Sequence, residues 1–159
     1  MKSPAYLEKI QTLPEVLRRI GDWRAFGESI VFTNGCFDIL HPGHVELLKF
    51  AKSKADKLVV ALNSDESVKR QNKPHKLVNS LEYRKTMISA LECVDFVVSF
   101  DEDTPREIMS VMCPEVLVKG SEYADPVGSE IVDKVCSFPM VSGHSTTSLI
   151  NKIRSDMNT

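Results

Sequence analysis

Two histidines, with two residues between them, stand where an apolar run gives way to a helical pattern. The stretch from Val31 to His44 reads V-F-T-N-G-C-F-D-I-L-H-P-G-H. Proline is favoured in the first turn of a helix, so a helix is predicted to begin near His41-Pro42, which places His41 and His44 on one face. Unpaired amides and the helix dipole at that end attract anions. With Gly35 allowing close approach to the backbone, the stretch is a candidate phosphate-binding site.

A metal site is the alternative for the same residues. Cys36 and Asp38 could complete a ligand set with the two histidines. The sequence has no second cysteine and no carboxylate cluster at ligand spacing around this stretch. The acidic run Asp101–Asp103 precedes Thr104-Pro105 and is explained by the first turn of a helix. Phosphate chemistry is therefore favoured, and no metal held by protein ligands is predicted.

Alternating strands and helices must position these side chains. Ile30–Phe32 is apolar and mostly β-branched, as in a buried strand of a parallel sheet, and Asn34-Gly35 is predicted to turn the chain at its end. The helix that follows has an apolar face formed by Val45, Leu48, Ala51 and Ala55. Residues 57–62 then predict a second buried strand. This is a right-handed βαβ unit, in which ligands collect at the carboxyl ends of the strands.

The rest of the chain continues the alternation. Strands are predicted over 94–100, 115–119 and 135–141, with Pro139 placing the last one at a sheet edge. A helix capped by Ser80 is predicted to run to about Cys93, and its inner face comprises Leu81, Met87, Ile88 and Leu91. Another begins after the cap residue Ser145, with an inner face of Leu149, Ile150 and Ile153. The predicted fold class is α/β, a Rossmann-like parallel sheet flanked by helices.

Two polar or peripheral segments complete the prediction. Residues 1–27 form an N-terminal helical extension in which Pro14 divides two short helices and Gly21 ends the second; it serves packing or a dimer contact. The catalytic domain is predicted over 28–159. Ser67 to Asn79 is polar, contains Lys73, His75 and Lys76, and is predicted to be a solvated loop.

Composition narrows the functional classes. The 159 residues suffice for one ordinary domain, with 42% hydrophobic residues and a net charge of −2. This charge balance gives no indication of a nucleic-acid or membrane partner. No apolar run is long enough for a signal peptide or a membrane span, so a cytoplasmic location is expected. The four cysteines are widely spaced, which favours free thiols.

The stretch from Thr33 to His44 resembles the signature sequence of a known protein family. The sequence T-N-G-C-F-D-I-L-H-P-G-H resembles the cytidylyltransferase-like nucleotidyltransferases, whose H-x-G-H motif contacts nucleotide phosphates. Within that group it is most similar to the D-glycero-β-D-manno-heptose 1-phosphate adenylyltransferases. The resemblance extends from about residue 28 to near the C-terminus and implies a nucleotidyltransferase-type Rossmann-like fold.

The resemblance also implies roles for individual residues. His41 and His44, with Lys73 and Lys76 of the basic loop, would be catalytic. Nucleotide contacts are implied for a larger set: Thr33, Asn34, Gly35, Cys36, Phe37, Asp38, Arg84, Lys119, Gly120, Glu122, Ser145, Thr146 and Thr147. A surface salt bridge is an equally good interpretation of Arg84, and helix capping explains Ser145 by itself.

Three local features bear on the substrate. V-K-G-S-E-Y, from Val118, resembles the V-K-G-G-D-Y of heptose adenylyltransferases. The S-T-T at Ser145 lacks the preceding arginine of glycerol-phosphate cytidylyltransferases. The family's heptose members often read R-P-V-N where this chain has K-L-V-N from Lys76, which departs from the pattern in the basic loop.

The implied reaction is attack of a sugar phosphate on the α-phosphorus of ATP, with release of pyrophosphate. It needs positioning and charge neutralisation more than a protein nucleophile. Mg²⁺ would arrive with ATP, and a homodimer is expected. The alternatives are cytidylyl transfer to glycerol 3-phosphate or a similar acceptor, a nucleotide-binding regulatory module without turnover, and a structural metal site.

Overall fold

A single parallel sheet forms the centre of the computed structural model, which describes residues 4–71, 73 and 76–157. Its strands are β1 (Ile30–Gly35), β2 (Lys57–Asn63), β3 (Phe96–Phe100), β4 (Val116–Gly120) and β5 (Lys134–Phe138). Their spatial order is β3-β2-β1-β4-β5, and every pairing is parallel. The order reverses between β1 and β4, which is the topological switch point where ligands bind in such sheets.

Helices cover both faces of the sheet, because its strands are apolar on both sides. The helices are α1 (Leu13–Ala25), α2 (Pro42–Lys52), α3 (Asp65–Arg70), α4 (Leu81–Ser89), α5 (Arg106–Met112) and α6 (Thr146–Met157), with a 3-10 helix at Ala5–Lys9. Alternation along β1 divides the core: Ile30 and Phe32 pack with α1 and α5, whereas Val31 packs with α2 and α4. The predicted fold class is confirmed, and β5 lies at the predicted edge.

The N-terminal segment is part of this core. Val16, Ile20 and Trp23 of α1 are buried in the first cluster, and the Trp23 ring stacks on Phe96 at 5.0 Å between ring centroids. The prediction that Gly21 ends the helix is wrong. The helix continues to Ala25 because the packing of Trp23 offsets the weak helix propensity of one glycine.

Two predicted boundaries and two predicted inner faces also differ. The predicted loop from Ser67 overlaps α3, which Ser64 caps by accepting a hydrogen bond from the Ser67 amide at 3.0 Å; residues 72, 74 and 75, including His75, lie outside the described residues. Helix α4 ends at Ser89, and Met87 is 51% exposed. Ile153 of α6 is 56% exposed. Helical spacing identified an apolar stripe in each helix, but Met87 and Ile153 are left exposed.

The end of β1 differs from the predicted turn. The strand runs through Gly35 and pairs with Leu62 of β2. The positive φ occurs two residues later, at Phe37 (48°), whose ring would lie 3.1 Å from a Cβ on Gly35. The absence of a Cβ on Gly35 therefore leaves room for the close approach of an aromatic ring.

No helix in residues 4–71, 73 and 76–157 combines the length and the apolar character needed to cross a membrane.

Candidate active site at the carboxyl ends of β1 and β4

The switch point between β1 and β4 opens into connected clefts. The central cleft, about 260 Å³, is lined by residues 33–38 after β1, by Lys119, Gly120, Glu122 and Tyr123 after β4, and by Lys73, His44 and Thr146. A neighbouring histidine cleft of about 220 Å³ shares His44, Gly120, Glu122 and Thr146 and adds His41, His144 and Ser145. A third, about 240 Å³, continues from the central cleft toward Thr104 and Pro126. The sequence motifs are thus brought to one edge of the sheet.

The histidine pair begins helix α2. His41 is the N-cap residue, and Pro42 occupies the first turn. The rings of His41 and His44 stack with centroids 3.7 Å apart, and both Nδ1 atoms are buried without a hydrogen-bond partner in the described structure. Burial and, secondarily, the neighbouring His41 lower the pKa of His44 to about 4. The two imidazoles are therefore neutral at pH 7 and have hydrogen-bonding capacity that an anionic ligand can use.

Gly43 allows a second helix N-terminus to approach the first. A Cβ at this position would lie 2.9 Å from the His41 ring and 3.0 Å from the His144 carbonyl oxygen. That carbonyl belongs to the turn that leads into α6, where the Ser145 Oγ accepts a hydrogen bond from the Ser148 amide at 3.1 Å. The N-termini of α2 and α6 consequently lie side by side, and Thr146 lines both clefts. Two adjacent helix N-termini favour a polyphosphate.

Asp38 holds the end of the basic loop. Its carboxylate accepts hydrogen bonds from the Val78 and Asn79 amides, both at 2.8 Å, and the Asn79 side chain donates to the Asp38 carbonyl oxygen at 2.8 Å. These contacts involve the V-N part of K-L-V-N, which this chain shares with the heptose family pattern. The departure at Lys76-Leu77 leaves the anchoring contacts in place.

Arg84 lies beneath the cleft and does not line it. Its side chain is fully buried and donates to the carbonyl oxygens of Cys36 (2.8 Å), Asn63 (2.9 Å) and Asn79 (3.2 Å) and to Asp65 (2.6 Å). It therefore ties the ends of β1 and β2 to the loop before α4. The ion pair with Asp65 matches one of the two sequence interpretations, except that the guanidinium is in the core and not at the surface.

Lys119 and Glu122 form the opposite wall. Lys119 Nζ donates to the Asn34 carbonyl oxygen at 2.9 Å and lies 4.7 Å from the centroid of the Tyr123 ring. Burial lowers the pKa of Lys119 to about 8, while Glu122 opposes and Lys73 adds to this shift. The Glu122 carboxylate folds onto Gly120, where a Cβ would clash with it. This wall presents one cation and one anion to a polar ligand.

The structure brings most of the predicted site residues together. Thr33 to Asp38, His41, His44, Lys73, Lys119, Gly120, Glu122, Ser145 and Thr146 all line the clefts. Arg84 is buried below them, while Lys76 and Thr147 are exposed and are not among the lining residues. Burial raises the pKa of the Cys36 thiol, which leaves it protonated and unsuited to act as a nucleophile.

Several lining residues were not predicted from the sequence. Leu47, Leu77 and Tyr123 border the central cleft, and Met140, Val141 and His144 border the histidine cleft. Tyr123 is the last residue of the V-K-G-S-E-Y sequence, and His144 immediately precedes Ser145 of the S-T-T sequence. Their positions in or beside a motif could have identified these two residues from the sequence. The apolar lining residues have no comparable signal, because their types are also those of ordinary core positions.

Comparison with known protein families finds a match along most of the chain. The family model described as cytidylyltransferase-like matches residues 32–156. The chain belongs to the cytidylyltransferase-like family. This membership confirms the resemblance and the enzyme class predicted from the signature.

The chain is similar to known proteins along almost its whole length. It is 48% identical over 155 residues to the bifunctional protein HldE of Campylobacter fetus subsp. fetus, covering 96% of this chain and 33% of that protein. It is 42% identical over 158 residues to the HldE of Sulfurimonas denitrificans, covering 98% of this chain and 32% of that protein. The chain thus spans about a third of the length of these relatives.

Solved structures share the architecture. The lipopolysaccharide core biosynthesis protein of Thermoplasma volcanium GSS1 superposes with a TM-score of 0.62 at 26% identity, covering 72% of this chain and 98% of that one. The pantoate-β-alanine ligase of Francisella tularensis has a TM-score of 0.57 at 16% identity, covering 94% and 79%. The second likeness concerns the fold alone.

Proposed function

We propose that this chain transfers AMP from ATP to a sugar 1-phosphate, D-glycero-D-manno-heptose 1-phosphate, and releases pyrophosphate. The observation that carries the proposal is the meeting of His41, His44 and the N-terminus of α6 at the switch point of the sheet. Similarity to the HldE proteins over nearly the full chain supports heptose as the acceptor. The V-K-G-S-E-Y sequence after β4 supports the same choice.

Each of the two clefts is proposed to bind one of the two substrates. In the histidine cleft, two neutral imidazoles and the positive ends of two helix dipoles receive the phosphates of ATP. In the central cleft, Asn34, Lys119 and Glu122 offer donors and acceptors to a polyhydroxylated sugar phosphate, and Lys73 adds positive charge. Holding the acceptor oxygen in line with the α-phosphorus lowers the barrier by positioning the two reactants. The fixed hydrogen-bond donors stabilise the charge on the transferring group.

Mg²⁺ is proposed to enter with ATP. Among residues 4–71, 73 and 76–157, no group of three or more His, Cys, Asp or Glu side chains gathers as a ligand set. Both carboxylate oxygens of Asp38 already accept backbone amides. These residues therefore fit a cation held by phosphate oxygens and water, as is usual for magnesium with nucleotides. Such a cation neutralises phosphate charge. Chelation by EDTA is expected to abolish turnover, and added Mg²⁺ is expected to restore it.

We infer that the chain acts as a homodimer in the cytoplasm, where ATP is available. Exposed apolar side chains support the dimer, since Met140, which follows β5, and Ile153 and Met157 of α6 are 59%, 56% and 81% exposed. Exposed apolar side chains of this size are typical of interaction surfaces. Sedimentation equilibrium of the wild type and of Ile153→Glu tests this: a dimer that the substitution converts to a monomer is expected, and a monomeric wild type would refute the inference.

Pyrophosphate release tests the reaction. ATP and CTP are each offered with heptose 1-phosphate and with glycerol 3-phosphate, using the wild type, His44→Ala and the surface control Lys152→Gln. Turnover with ATP and heptose 1-phosphate that is lost only in His44→Ala is expected. Turnover with CTP and glycerol 3-phosphate would favour cytidylyl transfer instead, and binding without turnover would favour the regulatory module.

A further inference from the structure

A lysine, a tyrosine and an asparagine meet where the central cleft passes into the third one. Asn34, Lys119 and Tyr123 line both of these clefts. Lys119 Nζ donates to the Asn34 carbonyl oxygen at 2.9 Å and to the Asn34 side-chain oxygen at 3.3 Å. The same ammonium lies 4.7 Å from the centroid of the Tyr123 ring, which is a cation–π contact. The three side chains therefore form one connected unit.

The turn after β4 places the aromatic ring. The Tyr123 amide donates to the Gly120 carbonyl oxygen at 3.1 Å, which closes a tight turn. Within that turn the Ser121 amide donates to the Phe138 carbonyl oxygen of β5 at 2.8 Å. The turn is thus hydrogen-bonded both to its own start and to the neighbouring strand. The position of the ring beside the ammonium is consequently set by backbone contacts of the chain.

The ammonium decides which way the Asn34 carboxamide points. An ammonium only donates hydrogen bonds, so the atom of the carboxamide that faces Lys119 is the oxygen. The amide nitrogen is then turned away from Lys119, and Asn34 borders two clefts into which its N–H groups can donate. The oxygens of a sugar phosphate accept such bonds. Without the ammonium, the carboxamide could rotate and present its oxygen to the cleft instead.

The Tyr123 ring limits where the ammonium can go. Lysine has a long, flexible side chain, and both an anion, Glu122, and a second cation, Lys73, line the central cleft. Burial lowers the pKa of Lys119 to about 8, while Glu122 opposes this shift and Lys73 adds to it. Glu122 therefore competes for the ammonium. The ring face favours the cation in its present position, which keeps it in contact with Asn34.

We propose that Tyr123 is a positioning residue whose ring holds the Lys119 ammonium against Asn34, so that the Asn34 amide nitrogen donates to the acceptor substrate. This inference rests on the proposed function for the identity of the acceptor, a sugar phosphate. Tyr123 acts through Lys119, and its ring rather than its hydroxyl group carries the effect. Tyr123→Phe should therefore preserve the arrangement, whereas Tyr123→Leu should not.

Steady-state kinetics with ATP and heptose 1-phosphate test the contact. Tyr123→Leu is expected to raise the KM for heptose 1-phosphate about tenfold, within the range of a desolvated cation–π contact. The KM for ATP should stay close to the wild-type value, because Tyr123 is not among the described lining residues of the histidine cleft. Tyr123→Phe should resemble the wild type. Tyr83→Leu is the matched control, since Tyr83 is 68% exposed on α4, and it should change neither KM.

A double-mutant cycle shows whether Tyr123 acts through Lys119. The ammonium is absent in Lys119→Met, so adding Tyr123→Leu to that variant should not raise the KM for heptose 1-phosphate further. An equal increase in both backgrounds would mean that the ring contacts the sugar directly, and it would overturn the proposal. A Tyr123→Phe variant as impaired as Tyr123→Leu, with unaltered thermal unfolding, would overturn it as well.

The side-chain amide signals of Asn34 in NMR spectra of the ligand-free protein test the arrangement without turnover. These signals are identified by their loss in Asn34→Ala. They should coincide in the wild type and Tyr123→Phe, and in Tyr123→Leu they should move to the position seen in the Lys119→Met, Tyr123→Leu double variant. If they do so and no acceptor is turned over, the positioning role stands and the proposed reaction is rejected. If turnover is found and the signals of Tyr123→Leu match the wild type, the reaction stands and the role of Tyr123 is rejected.

Discussion

Replacing Arg84 by methionine should destabilise the fold and loosen the cleft at the same time. Methionine keeps much of the volume but leaves the carbonyl oxygens of Cys36, Asn63 and Asn79 without the guanidinium donors at 2.8 to 3.2 Å. The ion pair with Asp65 at 2.6 Å is lost as well. Each unsatisfied buried group costs about 1–3 kcal/mol, and water can reach some of them once the site relaxes. We expect a loss of about 3–5 kcal/mol, the range for removing one partner of a buried charged network.

Urea unfolding measures this loss, with Arg106→Met as the matched control. Arg106 pairs with Glu130 at the surface, where the two side chains are 54% and 51% exposed; its replacement should cost less than about 1 kcal/mol. Arg84→Lys keeps the charge but cannot reach all four acceptors, so it should fall between the two. Equal stability of Arg84→Met and Arg106→Met, with equal affinity for ATP, would refute the structural role assigned to Arg84.

Three further perturbations address the site. Gly43→Ala places a Cβ 2.9 Å from the His41 ring and should raise the KM for ATP about tenfold by separating the N-termini of α2 and α6; Gly21→Ala, in open space, should leave KM unchanged and add up to about 1 kcal/mol of stability. Asp38→Asn turns a donor toward one of the Val78 and Asn79 amides, which should cost about 1–3 kcal/mol in urea unfolding and reduce kcat/KM; an unchanged midpoint would contradict the anchoring role. Because the pKa of His44 falls from 6.5 in the unfolded chain to about 4 in the folded one, the unfolded state binds the proton first, and the free energy of unfolding should drop by at most about 3 kcal/mol as the pH decreases through this window. His44→Gln should remove that part of the pH dependence, and an identical acid profile in the variant would rule out His44 as its source.

The order of elements was predictable because it depends on local patterns. Uninterrupted apolar runs such as Leu58–Leu62 identify strands buried on both faces. The first-turn proline at Pro42 identifies the start of α2, and Ser145 is a favoured cap for α6. The signature from Thr33 to His44 added the family, because its length makes a chance match improbable.

The limits of these patterns appear at particular residues. Helical spacing assigned Met87 and Ile153 to inner faces, but burial depends on the area of sheet available to each helix. Arg84 is polar and was assigned to a surface or to a ligand, because nothing local shows that carbonyl groups from Cys36, Asn63 and Asn79 meet around it. The turn was predicted at Asn34-Gly35, since residue type favours glycine there, whereas the positive φ occurs at Phe37.

The sequence by itself determined the strand and helix order, the paired histidines at a helix start, the absence of a local metal-ligand pattern and the family. The tertiary structure decided how separate motifs combine into clefts. Strand order placed β4 beside β1, which brought Lys119 to Asn34, and Gly43 admitted the His144 turn. These contacts join residues 85 and 101 positions apart, and such distances are set by the packing of the sheet and its helices, which no local sequence pattern encodes.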